Sequence, residues 1–202
     1  MKVRVGLTGG VGAGKSEVAR ILESLGAFII DTDPLARQAV APDSDALRAI
    51  ARVWQGVVRN GMLDRTALSE IVFSDPAARE KLNAIVHPFI RQLARDRERY
   101  AGKNQIVVHV VPLLFETGYG NLCGVSLLVV APERERISRV MRRNRWTEAQ
   151  ARARMAAQID PEVARTRATY VIENNADLAS LHEETARVYR VLESSVPGTL
   201  RA

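Results

Sequence analysis

VRVGLTGGVGAGKSEV, residues Val3 to Val18, decides the reading of this chain. Val3, Val5 and Leu7 form a short apolar run of the kind that makes a buried strand. Gly9, four residues, then Gly14, Lys15 and Ser16 follow. This is the G-x-x-x-x-G-K-[ST] pattern of a phosphate-binding loop, set between a strand-like run and a helix-like one. Glycine permits the tight turn and positive φ, so that successive backbone N–H groups converge on one anion. The helix that starts near Lys15 adds its positive end. Chemistry of this kind places Gly10, Val11, Gly12, Ala13, Gly14, Lys15, Ser16 and Glu17 around nucleotide phosphates, with the Ser16 hydroxyl on Mg²⁺.

Outward from the loop, Val18, Ala19, Ile21, Leu22 and Leu25 recur at helical spacing up to Gly26. Phe28–Ile30 reads as a second buried strand, ending in Asp31-Thr32-Asp33-Pro34. Carboxylates at the C-terminal end of such a strand lie where ligands bind in open α/β sheets. From Leu35 to Tyr100 the pattern is helical. Helices are expected over Leu35–Val40 and Ala46–Trp54, and after the N-caps Asp64 and Asp75-Pro76, with Gly56 and Gly61 bracketing a turn. His87-Pro88 is expected to interrupt or kink the last of these helices. Ile106–Val111 reads as a central parallel strand leading into Pro112–Glu116, and Val125–Val130 as another. Glu133–Arg143 and Thr147–Gln158 are basic helices, Thr169–Ile172 a last strand, Leu178–Leu192 a closing helix and Pro197–Ala202 a frayed tail.

Strands alternating with helices give a three-layer α/β fold with a parallel sheet. The domain reading is one phosphate-loop kinase domain with its core at about 1–34, 104–135 and 168–202. A helical substrate subdomain fills about 35–103 and an arginine-rich lid about 136–167. At 202 residues, 47% hydrophobic and 26% charged, the composition is that of a globular chain. No apolar run approaches the ~18 residues of a membrane span. The early loop leaves no room for a signal peptide, and the single Cys123 suits a reducing cytosol.

The net charge of +6 is mostly arginine, which fits nucleic acid or phosphate-bearing small molecules equally. Placement separates these. Arg136, Arg139 and Arg143 share one helical face, a spacing suited to closing over transferring phosphates. The alternative is a solvated face paired with Glu133, Glu135 and Glu148. No aromatic stacking stripe or zinc module supports nucleic-acid binding. Neither N-K-x-D nor D-x-x-G is present to support a GTPase.

The whole set of motifs resembles the dephospho-coenzyme A kinase family. It comprises GLTGGVGAGKS at Gly6–Ser16, D-x-D at Asp31–Asp33, G-x-L-D-R at Gly61–Arg65 and N-x-I-x-H-P at Asn83–Pro88. PLLFE at Pro112–Glu116, R-x-x-x-R at Arg139–Arg143, T-E-x-x-A-x-x-R-x-x-x-Q at Thr147–Gln158 and VI-x-N-N at Val171–Asn175 complete it. The chain departs from the family pattern at Arg136, Asn144, Thr169 and Ala176. The resemblance implies phosphorylation of the ribose 3′-hydroxyl of dephospho-CoA by ATP with Mg²⁺. It implies catalytic roles for Lys15, Asp33, Arg139 and Arg143, with Asp33 orienting or deprotonating the acceptor hydroxyl. Asn175 joins the nucleotide contacts, and Asp31 the metal through a bound water. Thr8, Asp33, His87, Leu113 and Glu116 are the implied acceptor contacts. Partners are then ATP and dephospho-CoA, without nucleic acid or membrane, and the oligomeric state is left open. A phosphate-loop kinase acting on a nucleoside, nucleotide or small alcohol is the nearest alternative.

Overall fold

The structure, a computed structural model, describes residues 2–195, so the expected tail from Pro197 lies outside the described residues. Two compact units emerge: residues 1–30 with 101–202, and residues 31–100.

The first unit is built on a five-stranded sheet in the order β2-β5-β1-β6-β7. The strands are β1 (Arg4–Gly9), β2 (Phe28–Asp31), β5 (Val107–Val110), β6 (Val125–Val130) and β7 (Tyr170–Glu173). β1 takes the middle position and pairs in parallel with both β5 and β6, while β6 pairs in parallel with β7. β1 is buried from Val5 to Gly9 and β5 throughout. This explains why both read as unbroken apolar runs rather than alternating ones. Helices α1 (Lys15–Ser24) and α9 (Leu178–Ser194) pack against each other. Their Val18, Leu22, Leu181 and Leu192 join Leu7, Val108, Leu127 and Ile172 of the sheet in one core. Helices α6 (Glu133–Asn144), α7 (Glu148–Ala156) and α8 (Pro161–Arg167) complete this unit, α8 packing on β6.

The second unit holds α2 (Thr32–Ala39), α3 (Asp45–Val53), α4 (Arg65–Ser74) and α5 (Pro76–Glu98), with a two-stranded hairpin of β3 (Val58–Arg59) and β4 (Met62–Leu63). Asp64 caps α4 through the Ala67 N–H at 3.0 Å, and Asp75 caps α5 through the Ala77 N–H at 2.8 Å. The hairpin was not read from the sequence. Its turn is Asn60-Gly61, both residues at positive φ (51° and 72°), the backbone a tight hairpin needs. The expected interruption at His87-Pro88 does not occur, and α5 is one helix of 23 residues with Pro88 inside it. Proline inside a helix costs about 3 kcal/mol. Here α5 packs on α2, α3 and α4, and Leu82, Ile85, Val86 and Phe89 join the core around Ile50 and Leu68 on both sides of the proline. That packing outweighs one lost backbone bond. Among the described residues, no helix is long and apolar enough to cross a membrane.

Candidate active site

β1 delivers the chain into the loop from Gly10 to Gly14, and α1 starts at Lys15 with Gly14 as its N-cap at φ 100°. The first N–H groups of a helix have no acceptor inside it, which makes the start of α1 a ready place for an anion. Gly12 also stands at positive φ (79°), and the Ala13 N–H closes a turn onto the Gly10 carbonyl at 3.0 Å. Lys15 Nζ lies 3.5 Å from the Gly9 carbonyl, drawn back along the loop. Ser16 is exposed in the first turn of α1.

Three side chains hold the loop from outside at 3.0 Å or less. Arg136 Nε of α6 donates to the Val11 carbonyl at 3.0 Å. Gln158 Oε1, beyond α7, accepts the Val11 N–H at 2.8 Å. Asn174 Nδ2, beyond β7, donates to the Ala13 carbonyl at 2.8 Å. Arg136 and Asn174 are both buried. Burial pushes the Arg136 guanidinium below its ordinary value, and the neighbouring Glu133 carboxylate works against that. An arginine so placed still carries its charge. The Val11 side chain packs with Ile137 and Val140 of α6 and Ala151 of α7, so α6 and α7 rest directly on the loop.

The three arginines of the shared face are graded along α6. Arg136 is buried under the loop, Arg139 is half-buried with Nη1 3.5 Å from the Gly12 carbonyl, and Arg143 is exposed with Nε donating to Asn144 Oδ1 at 2.8 Å. Two of the acids expected to neutralise that face point elsewhere. Glu133 and Glu148 both pair with Arg152 of α7.

A cavity of about 530 Å³ opens beside the loop, with Thr8, Gly10, Pro112, Glu116, Arg136 and Gln158 among its lining. The Thr8 hydroxyl reaches the Pro112 carbonyl at 3.4 Å. Leu113 is exposed, while Leu114 beside it is fully buried. Glu116 Oε1 accepts the Ile159 N–H at 3.2 Å, tying the chain after β5 to the segment after α7.

In the helical unit, Asp31 is the N-cap of α2 and accepts the Asp33 N–H at 3.0 Å. The capping role that could have explained Asp33 therefore falls to Asp31. Asp33 stands exposed in the first turn. His87 is half-buried on α5, and burial, helped by the Arg91 charge, lowers its pKa below the ordinary value.

A family model for dephospho-CoA kinase matches residues 3–180. The chain belongs to the dephospho-CoA kinase family. A dephospho-CoA kinase of Moorella thermoacetica is 43% identical over 194 residues, covering 94% of this chain and 92% of that protein. A crystal structure from Thermus thermophilus superposes with a TM-score of 0.83 at 36% identity, covering 98% of this chain and 99% of that one. A dephospho-CoA kinase structure from Campylobacter jejuni does so with a TM-score of 0.69 at 28% identity, covering 96% and 99%. The fold is that of the phosphate-loop kinases, and the protein is a kinase.

Within this dephospho-CoA kinase fold, sequence reasoning missed the three residues that hold the loop. For Asn174 a signal existed. Ile172 in β7 and Asn174 just past its end have the same parity, and both are buried, whereas Asn175 is exposed. Arg136 has the same spacing as the other arginines of its face, and Gln158 stands at the end of a motif that does not say what it meets. Which loop a distant polar side chain meets is set by tertiary packing, which spacing does not carry.

Proposed function

We propose that this protein transfers the γ-phosphoryl group of ATP to the ribose 3′-hydroxyl of dephospho-CoA, giving coenzyme A and ADP in the last step of coenzyme A synthesis. The family match across residues 3–180 carries the reading, because it spans the phosphate loop and the acceptor-side motifs together. Phosphoryl transfer needs mainly positioning and charge stabilisation. The loop amides and Lys15 take the β- and γ-phosphates. Asp33 orients the 3′-hydroxyl and accepts its proton as the oxygen attacks phosphorus. Arg139 and Arg143 neutralise charge that builds on the transferring group. Asn175 borders the nucleotide, and Thr8, His87, Leu113 and Glu116 border the acceptor.

Magnesium fits a sparse donor set of this kind, because it keeps several waters and takes phosphate oxygens with only one or two protein ligands. Ser16 would hold it directly and Asp31 through a water. The ion supplies charge neutralisation on the phosphates. The protein works in a reducing cytosol, in keeping with its lone Cys123.

Incubation with ATP, Mg²⁺ and dephospho-CoA, followed by mass identification, tests the proposal. A product one phosphoryl group heavier than dephospho-CoA supports it. No such product, with phosphorylation of a nucleoside or small alcohol instead, overturns it.

A further inference from the structure

We infer that Gln158 is a positioning residue for the nucleotide, acting through the backbone of Val11. This rests on the phosphate loop receiving ATP, as proposed above.

Val11 lies within the loop and is held in three ways. Its N–H goes to Gln158 at 2.8 Å, its carbonyl to Arg136 at 3.0 Å, and its side chain packs with Ile137, Val140 and Ala151. An N–H can meet only an acceptor, so the Gln158 atom facing it is the amide oxygen. With both its polar groups held, the peptide planes on either side of Val11 cannot turn. The cradle of loop N–H groups is thereby set before a phosphate arrives. A loop ordered in advance binds more tightly than one that must be ordered by its ligand.

Gln158 offers its amide from a fixed backbone. Its own N–H closes a turn onto the Met155 carbonyl at 3.1 Å, and the next N–H, of Ile159, is taken by Glu116 at 3.2 Å. Glu116 lies on the chain leaving β5, and the phosphate loop leaves β1. These strands are neighbours in register, with Leu7 opposite Val110. The segment at 158–159 therefore spans two loops at the C-terminal ends of adjacent strands, its side chain fixing one and its backbone fixed by the other. Gln158 touches neither phosphate nor acceptor in this scheme. It works only by holding Val11.

Two variants that remove the same bond in opposite ways test this. Gln158→Met keeps the length and loses the acceptor. Gln158→Asn keeps the amide and is one methylene too short to reach. Calorimetric titration with MgADP reads nucleotide binding without any acceptor substrate, so failure to phosphorylate dephospho-CoA would sink the functional reading and leave this test standing. Both variants are expected to bind MgADP about tenfold more weakly, the scale of one lost hydrogen bond with a donor left unsatisfied. In turnover assays the KM for ATP rises in step, while the KM for dephospho-CoA moves less than twofold. Wild-type MgADP affinity in either folded variant, even with a lower Tm, overturns the inference. A rise confined to the dephospho-CoA KM does so too, since Gln158 would then face the acceptor. Loss of folding in both variants also overturns it, because Gln158 would be holding up the fold. If only one variant folds, its titration decides.

Discussion

The guanidinium of Arg136 fills the space that a side chain at Gly10 would need: a Cβ built on Gly10 lies 2.8 Å from Arg136 Cζ. The same arginine also limits Gly12, where a Cβ would lie 2.6 Å from the Arg136 backbone oxygen. The loop's glycines answer α6 as much as they answer a phosphate.

The two glycines should therefore differ on substitution. Gly10→Ala meets the far end of a side chain, which can swing away at the cost of its bond to Val11. Gly12→Ala meets backbone and also stands at φ 79°. That conformation alone costs about 1–3 kcal/mol for a residue with a Cβ. Thermal denaturation should show Gly12→Ala as the less stable of the two, with nucleotide binding more severely weakened. Equal Tm values would count against the α6 contact as the source of the constraint.

Asn174 and Asn175 offer a similar contrast one residue apart. Removing the Asn174 amide leaves the Ala13 carbonyl without its bond in a buried setting, a loss of about 1–3 kcal/mol. Asn174→Ala should lower Tm by several degrees. Asn175→Ala, on an exposed residue, should leave Tm within about a degree or two, since surface substitutions usually stay within about 0.5 kcal/mol. Parallel melting curves decide this, and a larger loss at Asn175 would reverse the assignment of the loop-holding residue.

The loop, the strand ends and the caps were legible because each follows from local chemistry. Gly9 to Ser16 announces a phosphate cradle, and Asp64 and Asp75 stand where helices begin. Two further local signals were present and went unread. Asn60-Gly61 marks the small hairpin, and Asp160-Pro161 opens α8 in the same way that Asp75-Pro76 opens α5. The uninterrupted course of α5 was not legible, because propensity at Pro88 argued against it and the packing that decides it is non-local. The clamp on Val11 was hidden for the same reason, since its partners lie at 136 and 158.

Lys15 and Asp33 should separate binding from chemistry. Lys15→Ala is expected to abolish transfer in a folded protein, since the side chain stands at the start of α1 and belongs to no core. Asp33→Asn preserves shape and removes the proton acceptor, so kcat should fall far more than ATP affinity. Circular dichroism, MgADP titration and steady-state kinetics together read this. A loss confined to ATP affinity in Asp33→Asn would remove the base role.

His87 makes a pH prediction. Burial, with the Arg91 charge adding to it, holds its pKa below the ordinary value of 6.5. In the unfolded chain the imidazole takes its proton near that ordinary value, while the folded protein resists protonation. Above it the group is neutral in both states and contributes no pH dependence. As pH falls through 6.5 toward the lowered folded value, the unfolded state gains protons first and stability declines. Urea denaturation between pH 5 and 8 should show this acid-side loss, about the range where histidine titrates. His87→Gln should flatten it. An identical acid-side slope in His87→Gln would assign the loss to other groups.

The arginines of α6 carry the riskiest expectation, because one face holds residues in three settings. Arg136 is buried and bonded to the Val11 carbonyl, so Arg136→Ala should lower stability and also weaken MgADP binding, with no separate effect on the chemical step. A lost hydrogen bond from a charged donor is worth about 1.5–3 kcal/mol. Arg139 is half-buried at the loop edge, and Arg143 is exposed. With Glu133 and Glu148 engaged by Arg152, the positive charge at these two positions stays available to a polyanion. If that polyanion is the transferring phosphate, both matter most as charge shifts in the transition state. An arginine supplied to such a transition state contributes about 10³ or more in rate. Sharing between two residues makes on the order of 10²-fold the expected loss in kcat for Arg143→Ala. Arg143→Lys should stay clearly impaired, because lysine keeps the charge and loses the planar fork. A merely solvated face predicts nearly unchanged kinetics, as exposed ion pairs contribute about 0–1 kcal/mol. Steady-state kinetics at saturating ATP and dephospho-CoA separates the cases. Wild-type turnover in both Arg139→Ala and Arg143→Ala would show that α6 supports the phosphate loop and takes no further part in transfer.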